Sequence, residues 1–404
     1  MKILLVVSNF VPEIGSTSHI SYDLARAFAA HGHEVDVITS YPRRYTMDVS
    51  DRDQDVPTDE IIEGVHIHRC RHPSNRDRIL VRGLEHFYLP LYYYRTFRQL
   101  KKKFDVCLMM LPPLPLYYLA KWIKHYDGTP FVLNIQDFHP QELTDVGFLT
   151  NPLAIRVLAH IERAAYTNAD YLTVLSPGGV DYVVARGADP KRVSHIYNAV
   201  SLDSGTQIRI FKEKEGIEDK FLISYAGILS PFQGIDHILD VAKALQGHKD
   251  IVFFIVGDGM IRSHLEERIR TEEITNVRLR PFLPRDQYLD LVRSSDLSLI
   301  SLDERMKAPC MPGKLISLLA AGQPVVTLVD PESETARVVR EAGCGIVVDP
   351  CDIEGLKMAI IALKEDPAIA SSFGGAGRSF FEGHMGPSVA VAAYKVVFEM
   401  FIKI

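Results

Sequence analysis

The chain opens on "KILLVVS", an apolar run from Ile3 to Val7, and a loop then leads into "SHISYDLARAFAAHG". Apolar side chains in that second segment recur every three or four residues. It is therefore predicted as an amphipathic helix, which Gly32 ends. "EVDVITS" returns to a strand, and "VHIHRC", "DVCLMML", "FVLNIQD", "YLTVLS" and "VSHIYN" continue the series with helical segments between most of them. Strands apolar on both faces and separated by helices predict a parallel, doubly wound sheet.

A polar, charged stretch follows, Ser201 to Lys220, and then the pattern restarts. "FLISYAGI", "IVFFIVG", "VRLRPFL", "LSLISL", "PVVTLV" and "GIVVD" alternate with helices beginning near Gly234, Gly259, Arg285, Pro312 and Ser333. The fold class is α/β: two Rossmann-like, doubly wound parallel-sheet domains, expected at residues 1–200 and 201–382. A C-terminal helical segment, 383–404, would pack back on the first domain. A length of 404 residues suits two cores rather than one. Ligands of open α/β sheets bind beyond the C-terminal ends of the strands. Two such sheets facing each other would build one cleft site from loops of both halves.

Composition narrows the classes. With 47% hydrophobic and 24% charged residues the chain is globular. A formal charge of −6 gives no electrostatic basis for a nucleic-acid partner. The cysteines (Cys70, Cys107, Cys310, Cys344, Cys351) lack the spacing of zinc ligands or a redox pair, so reduced thiols in a cytoplasmic protein are expected. The N-terminal apolar run is too short for a signal sequence. The longest apolar run, "VCLMMLPPLPLYYLA", has 15 residues and three prolines, short of the ~20 a membrane span needs.

Several loops could carry chemistry. "VGDGM" joins a buried strand to a helix, where Gly257 and Gly259 either let backbone approach an anion or simply make a tight turn. "MPGKLISLLAAG" starts a helix with Pro312 and Gly313 and sets Lys314 beside its N-terminus. That is a diphosphate site or a helix start with a solvated lysine. Met311, Leu315, Leu318 and Leu319 read as core. In "VPEIGSTSH", Gly15, Ser16 and Thr17 could line an active-site floor, or Ser16 could be an N-cap. In "NIQDFHPQE", Asp137 and His139 stand at a strand mouth as an acid/base pair, or as a capping Asp and a solvated His. Gln136, Gln141 and Glu142 are weaker candidates.

The segment Arg69 to Lys103 has ten Lys/Arg against two acids, interleaved with Phe87, Tyr88, Tyr92, Tyr93, Tyr94 and Phe97. It reads as an interfacial helix on anionic lipid, through Arg82, Tyr92, Tyr93, Arg95, Arg98, Lys101, Lys102 and Lys103. The other reading is an amphipathic helix with aromatics in the core and cations in water.

These motifs, in this order and over nearly the whole chain, resemble the retaining family-four glycosyltransferases of the GT-B fold, in particular those of bacterial surface-polysaccharide pathways of O-antigen or capsule type. "FVPEIGSTSH" resembles the family's Pro-Glu-Ile-Gly-Gly loop, "AAHGHEVDVIT" its Gly-His-Glu-Val signature and "IQDFHPQE" its Asp-Leu-Trp-Pro-Glu loop. "YAGILSPFQGIDHILDVAKAL", "FIVGDGMIRSHL" and "PGKLISLLAAGQPVV" follow in family order. The resemblance implies transfer of a sugar from a nucleoside diphosphate, with uridine diphosphate the expected carrier. Retained anomeric configuration, no metal and no cofactor beyond the nucleotide-sugar donor are also implied. The acceptor would be a polysaccharide or lipid-linked sugar at the inner face of the cell membrane, where the protein would sit peripherally on an anionic surface.

Residue by residue, the resemblance puts Gly257 and Gly259 at the nucleotide, Phe282 and Leu283 at the base, and Lys314 with Pro312, Gly313 and Leu315 at the diphosphate. Gly15 and Ser16 would face the sugar and phosphate, and Asp137 with His139 the sugar and acceptor. There are departures. A cationic pair of the family falls at Ile228 and Gln233, and its paired glutamates fall at Pro309 and Ser317, the latter where ribose hydroxyls would be held. Losing a charge-assisted hydrogen bond costs roughly 1.5–3 kcal/mol unless something replaces it. Two other classes stay open on these departures: a non-catalytic GT-B scaffold or regulatory partner, and a sugar-nucleotide 2-epimerase.

Overall fold

The computed structural model describes residues 1–42, 56–73, 79–201 and 210–402, with side chains from residue 84 onward in the helix that starts at Ile79. Two compact units form. One gathers residues 1–199, 308–310 and 386–404; the other gathers 200–307 and 311–385.

In the first unit the apolar runs become β1 (Lys2–Val6), β2 (Glu34–Ser40), β3 (Asp59–Ile62), β4 (Val65–Cys70), β5 (Val106–Leu111), β6 (Phe131–Ile135), β7 (Tyr171–Val174) and β8 (Val193–His195). Their order is β3-β4-β2-β1-β5-β6-β7-β8. Seven strands run parallel, while β3 pairs antiparallel with β4 at the edge, a strand the sequence pattern did not single out. The helices are α1 (Ser16–Ala30), α2 (Ile79–Leu100), α3 (Leu116–Asp127), α4 (Gln141–Asp145), α5 (Pro152–Asn168) and α6 (Pro177–Ala185). β1 lies at the centre because Ile3, Leu4, Leu5 and Val6 are apolar on both faces and wholly buried.

The second unit begins with α7 (Phe211–Glu215), so part of the expected linker is helical. Then come β9 (Phe221–Ala226), α8 (Asp236–Ala244), β10 (Ile251–Val256), α9 (Arg262–Thr271), β11 (Val277–Arg280), α10 (Arg285–Ser294), β12 (Leu297–Ser301), α11 (Gly313–Ala320), β13 (Val325–Leu328), α12 (Glu334–Ala342), β14 (Gly345–Val348), α13 (Ile353–Glu365) and α14 (Pro367–His384). The order is β11-β10-β9-β12-β13-β14, all parallel. It reverses between β9 and β12, which makes the loops after those two strands the favoured ligand position. One of these loops follows Tyr225 and Ala226 at the end of β9, and the other leads from β12 into α11.

The last helix, α15 (Pro387–Ile402), belongs to the first unit. Ala390, Val391, Tyr394, Val397 and Phe398 join the core with Leu24 and Phe28 of α1. Buried Asn134 donates to the Tyr394 hydroxyl at 2.9 Å and to Thr173 Oγ1 at 3.0 Å, which locks this helix to the sheet. The stretch Pro367–Ile402 is long and apolar enough to cross a membrane by length and composition, although no uninterrupted apolar run reveals it. It consists of two helices, and one face of α15 is committed to the core.

Candidate functional site

Beyond the ends of β9 and β10, beside the β9–β12 switch, two loops are zipped together by backbone. Gly227 N–H donates to Val256 C=O at 2.9 Å, and Leu229 N–H to Asp258 C=O at 2.9 Å. A Cβ on Gly257 would stand 1.9 Å from the Gly227 carbonyl oxygen, and one on Gly259 2.2 Å from that of Leu229. Close backbone packing by itself therefore requires both glycines. The Ser230–Gly234 turn then brings Gln233 under the start of α11.

α11 has Pro312 at its N-cap and no side chain bonding its first N–H groups. Its terminus carries fractional positive charge, which suits an anion. Lys314 folds back over the Tyr225 ring, with Nζ 4.1 Å from the ring centroid. Nζ lies 2.9 Å from the Tyr225 hydroxyl and 2.6 Å from Gln233 Oε1. Burial with no counter-charge pulls its pKa down to about 7. Gln233 stands where the resemblance expects a cation, and it binds the lysine instead. Leu315 requires a correction: its side chain is fully buried and its N–H goes to the Pro312 carbonyl at 3.0 Å, so it packs the core and offers nothing to a ligand. Ser317 is half-buried and bonds to the Tyr288 hydroxyl of α10. Leu283 packs on a small cluster that includes Phe211, Phe254 and Leu291, and Phe282 is half-buried. Leu283 is itself half-buried and also lines a pocket with Arg280 and Gln287.

In the first unit, Gly15 is the N-cap of α1 with open space where a Cβ would go, and Ser16 is the first helical residue, exposed. Ser16 is thus not the cap. The loop after β6 is anchored by Phe138, which is buried against the Tyr182 ring (centroids 4.7 Å apart) and against Gly179. Its N–H donates to Glu142 Oε1 at 2.6 Å. Arg186 lies over the Tyr182 ring at 3.4 Å and donates to Gln141 Oε1 at 3.2 Å.

Asp137 and His139 flank this anchor, and one ligand atom from each of Asp137, His139 and Glu142 lies within 4.8 Å of the others. Two carboxylates and an imidazole at that spacing could hold a divalent ion. They could equally share a proton. Burial pushes the Glu142 carboxyl up, to about 8, and the Asp137 charge adds to this. Partial desolvation raises the Asp137 carboxyl as well, although its side chain keeps an exposed face, and lowers the half-buried His139 imidazole. The two carboxyls titrate as a pair, with the proton favoured on buried Glu142 over exposed Asp137, beside an imidazole whose charged form is disfavoured. Glu142 was only a weaker candidate in the sequence. Tyr225 and Tyr288 were missed there, because their contacts cross between loops and no spacing encodes them.

α2 divides the basic segment. Tyr93 is buried, its hydroxyl 2.7 Å from Ser40 Oγ, so it cannot face lipid. Lys102 is also corrected: it pairs with Glu34 at 2.6 Å and with Asp36, so its charge is neutralised on the sheet. Tyr92 is half-buried against Tyr88 and His72. Arg95, Lys101 and Lys103 are exposed, as is Arg98, whose guanidinium covers the Tyr126 ring at 4.0 Å. The Arg82 side chain lies outside the described residues.

Residues 15–199 match the family model described as a glycosyl transferase 4-like domain, and residues 207–380 match that of glycosyl transferases group 1. The chain is a glycosyltransferase built from a glycosyl transferase 4-like domain and a group 1 domain. This glycosyltransferase is 23% identical over 330 residues to the probable glycosyltransferase WbjE of Pseudomonas aeruginosa, spanning 80% of this chain and 81% of that one. It is 22% identical over 375 residues to the putative colanic acid biosynthesis glycosyl transferase WcaI of Escherichia coli K12, spanning 89% and 91%. Its fold matches the sucrose-phosphate synthase of Thermosynechococcus elongatus with a TM-score of 0.80 at 16% identity over the full length of both chains. It also matches Anabaena HepE, solved with UDP-glucose, with a TM-score of 0.71 at 14% identity over both full chains. The fold is GT-B, built from two Rossmann-like domains.

Proposed function

We propose that this glycosyltransferase moves a sugar from a nucleoside diphosphate, with uridine diphosphate as the carrier, to a membrane-associated polysaccharide or lipid-linked sugar, retaining the anomeric configuration. The observation that carries this reading is the uncapped N-terminus of α11 with Lys314 beside it and no carboxylate paired to that lysine among the described residues. A departing diphosphate needs positive charge in place before the bond breaks, and a helix end with a lysine supplies it without reorganisation. That charge takes the role a divalent ion would otherwise have, so the reaction needs no metal. The departing diphosphate accepts the proton of the incoming hydroxyl. Ionised Asp137 orients that hydroxyl and the sugar, and neutral His139 offers either a donor or an acceptor beside it. The UDP-glucose complex of HepE supports the choice of carrier, and the colanic acid description of WcaI supports a surface-polysaccharide acceptor.

The membrane part of this reading rests on α2. Leu84, Phe87 and Leu91 are 62%, 46% and 57% exposed, and their spacing puts them on one helix face. Arg95 and Arg98 continue the same face, and Lys101 and Lys103 follow. Large apolar side chains beside exposed cations suit the headgroup–acyl boundary of an anionic leaflet, so the protein would sit peripherally on the cytoplasmic side of the membrane. The test supplies radiolabelled UDP-sugars, a lipid-linked sugar in anionic vesicles and a chelator. Transfer with the anomeric configuration of the donor is expected. An inverted product, abolition by the chelator, or nucleotide binding without any transfer would each overturn the corresponding part, the last favouring a non-catalytic scaffold.

A further inference from the structure

Helix α5 presents a face whose composition matches that of α2. Asn151 caps the helix, accepting from the Leu153 and Ala154 N–H groups at 2.9 and 3.1 Å, and Pro152 sets its first turn. Ile161, Glu162, Ala165 and Tyr166 turn inward. Helical spacing then puts Leu153, Arg156, Val157, His160 and Arg163 together on the opposite face, and all five are exposed. Leu153 is 66% and Val157 42% exposed, and Phe148, just before the helix, is 46% exposed. Glu162 is the one acid between Val146 and Asn168, and it is buried beside Arg186 and the Tyr182 hydroxyl. The exposed face of this segment is therefore apolar and cationic, with no carboxylate of its own.

Topology sets this face on the same side of the sheet as that of α2. The connections that carry α2, α3 and α5 all step toward β8, whereas the one that carries α1 steps the other way. Right-handed crossovers thus place α2, α3 and α5 on one side of the sheet and α1, with α15 packed on it, on the other. α3 lies between its neighbours: Trp122 meets Tyr94 of α2 with ring centroids 5.8 Å apart, and the Tyr117 hydroxyl bonds to Asn168 of α5. α2 and α5 run parallel, each starting at the edge of the sheet where the strands end and where Asp137 and His139 stand. They also share an order along their axes. Leu84, Phe87 and Leu91 precede Arg95 and Arg98 in α2, and Phe148 and Leu153 precede Arg156 and Arg163 in α5. Apolar groups beyond cations match acyl chains beyond phosphates.

We propose that residues 148–163 form a second membrane-binding element, which docks together with α2 on the headgroup–acyl boundary of an anionic leaflet. This rests on the membrane reading of α2. One helix alone would leave the protein free to roll about that helix; two parallel contacts fix its orientation and hold the Asp137 loop at the leaflet, where a lipid-linked acceptor is anchored.

The experiment places a single tryptophan at Leu153 or, separately, at Leu91 of α2, in a Trp122→Phe background. It measures quenching by vesicles of phosphatidylglycerol and phosphatidylethanolamine whose acyl chains are brominated near the headgroup. An interfacial side chain sits about 5–10 Å into that boundary, so L91W and L153W should each lose roughly half of their emission. A second measurement leaves Trp122 in place. R156Q combined with R163Q should weaken vesicle binding about tenfold or more at low salt, with the difference vanishing at high salt. Quenching of L91W without quenching of L153W, or unchanged vesicle binding of the double arginine variant, would overturn this proposal and leave α2 as the membrane contact. Quenching of neither tryptophan would overturn both. Self-association of the native chain that Leu153→Ser with Val157→Ser abolishes would assign the face to a second copy and overturn the proposal as well.

Discussion

Glu142 offers a direct test of the electrostatics behind the first-domain site. Its side chain is buried, accepts the Phe138 N–H at 2.6 Å and bonds to the Cys310 thiol, and it has no cation to pair with among the described residues. In the unfolded chain it titrates near 4.5; in the folded chain burial and the Asp137 charge hold the proton to about 8. Below pH 4.5 both states carry the proton, and its contribution to stability is fully present. As pH climbs toward 8 the unfolded chain releases the proton while the folded one keeps it, so stability falls throughout this window. Each pH unit of that difference is ~1.4 kcal/mol. Allowing for relaxation and for the proton shared with Asp137, the loss between pH 5 and 8.5 is on the order of 2–4 kcal/mol. Glu142→Gln keeps a carbonyl oxygen for Phe138 N–H and removes the titration.

The chain has one tryptophan, Trp122 of α3, so its fluorescence during urea unfolding reports the first unit alone. At pH 5.5 the variant should match the wild type within about 1 kcal/mol, as expected for a neutral hydrogen-bond exchange. At pH 8.5 it should be the more stable of the two. A difference between the two proteins that stays constant from pH 5.5 to 8.5 would refute the reasoning, because Glu142 would then be ionised in both states.

Other outcomes follow from the same geometry. Gly257→Ala drives a methyl group into the Gly227 carbonyl oxygen, so it should destabilise the second unit by about 2–4 kcal/mol and weaken nucleotide binding, read by thermal unfolding and titration. Asp137→Asn should lower the rate of transfer by roughly tenfold to a thousandfold with nucleotide affinity nearly unchanged, since it removes an orienting charge and leaves α11 intact. Replacing Leu84, Phe87 and Leu91 by Ser, or Arg95, Arg98, Lys101 and Lys103 by Gln, should each release the protein from anionic vesicles. The arginine and lysine set should lose its effect at high salt. Undiminished sedimentation with vesicles in both sets would remove α2 from the membrane surface.

Much of the fold was legible because its strands are continuous apolar runs separated by helices, a pattern that a buried parallel sheet requires. β3 escaped since it lies at an edge, pairs antiparallel and buries neither face fully. Around the site, the lysine and the helix start could be read from "PGKLISLLAAG", where propensity and spacing are local. The partners of that lysine could not: Tyr225 comes from β9 and Gln233 from the loop after it, and only the β9–β12 order brings them to it. The places of Tyr93 and Lys102 are illegible for a related reason. A run of cations and aromatics reveals composition but not which face the sheet covers, and Asp36, one turn of the fold away, decides the fate of Lys102. Glu142 was underrated because its effect comes from burial, which a short polar helix in the sequence does not advertise.

The measurement that bears most directly on the donor site is titration of wild type and Lys314→Ala, side by side, with nucleoside diphosphates. Saturable binding of one of them to the wild type is expected, weakened about tenfold or more in the variant as a charge-assisted contact at a helix N-terminus is lost. Equal affinity in the two proteins would contradict the account and place the diphosphate elsewhere.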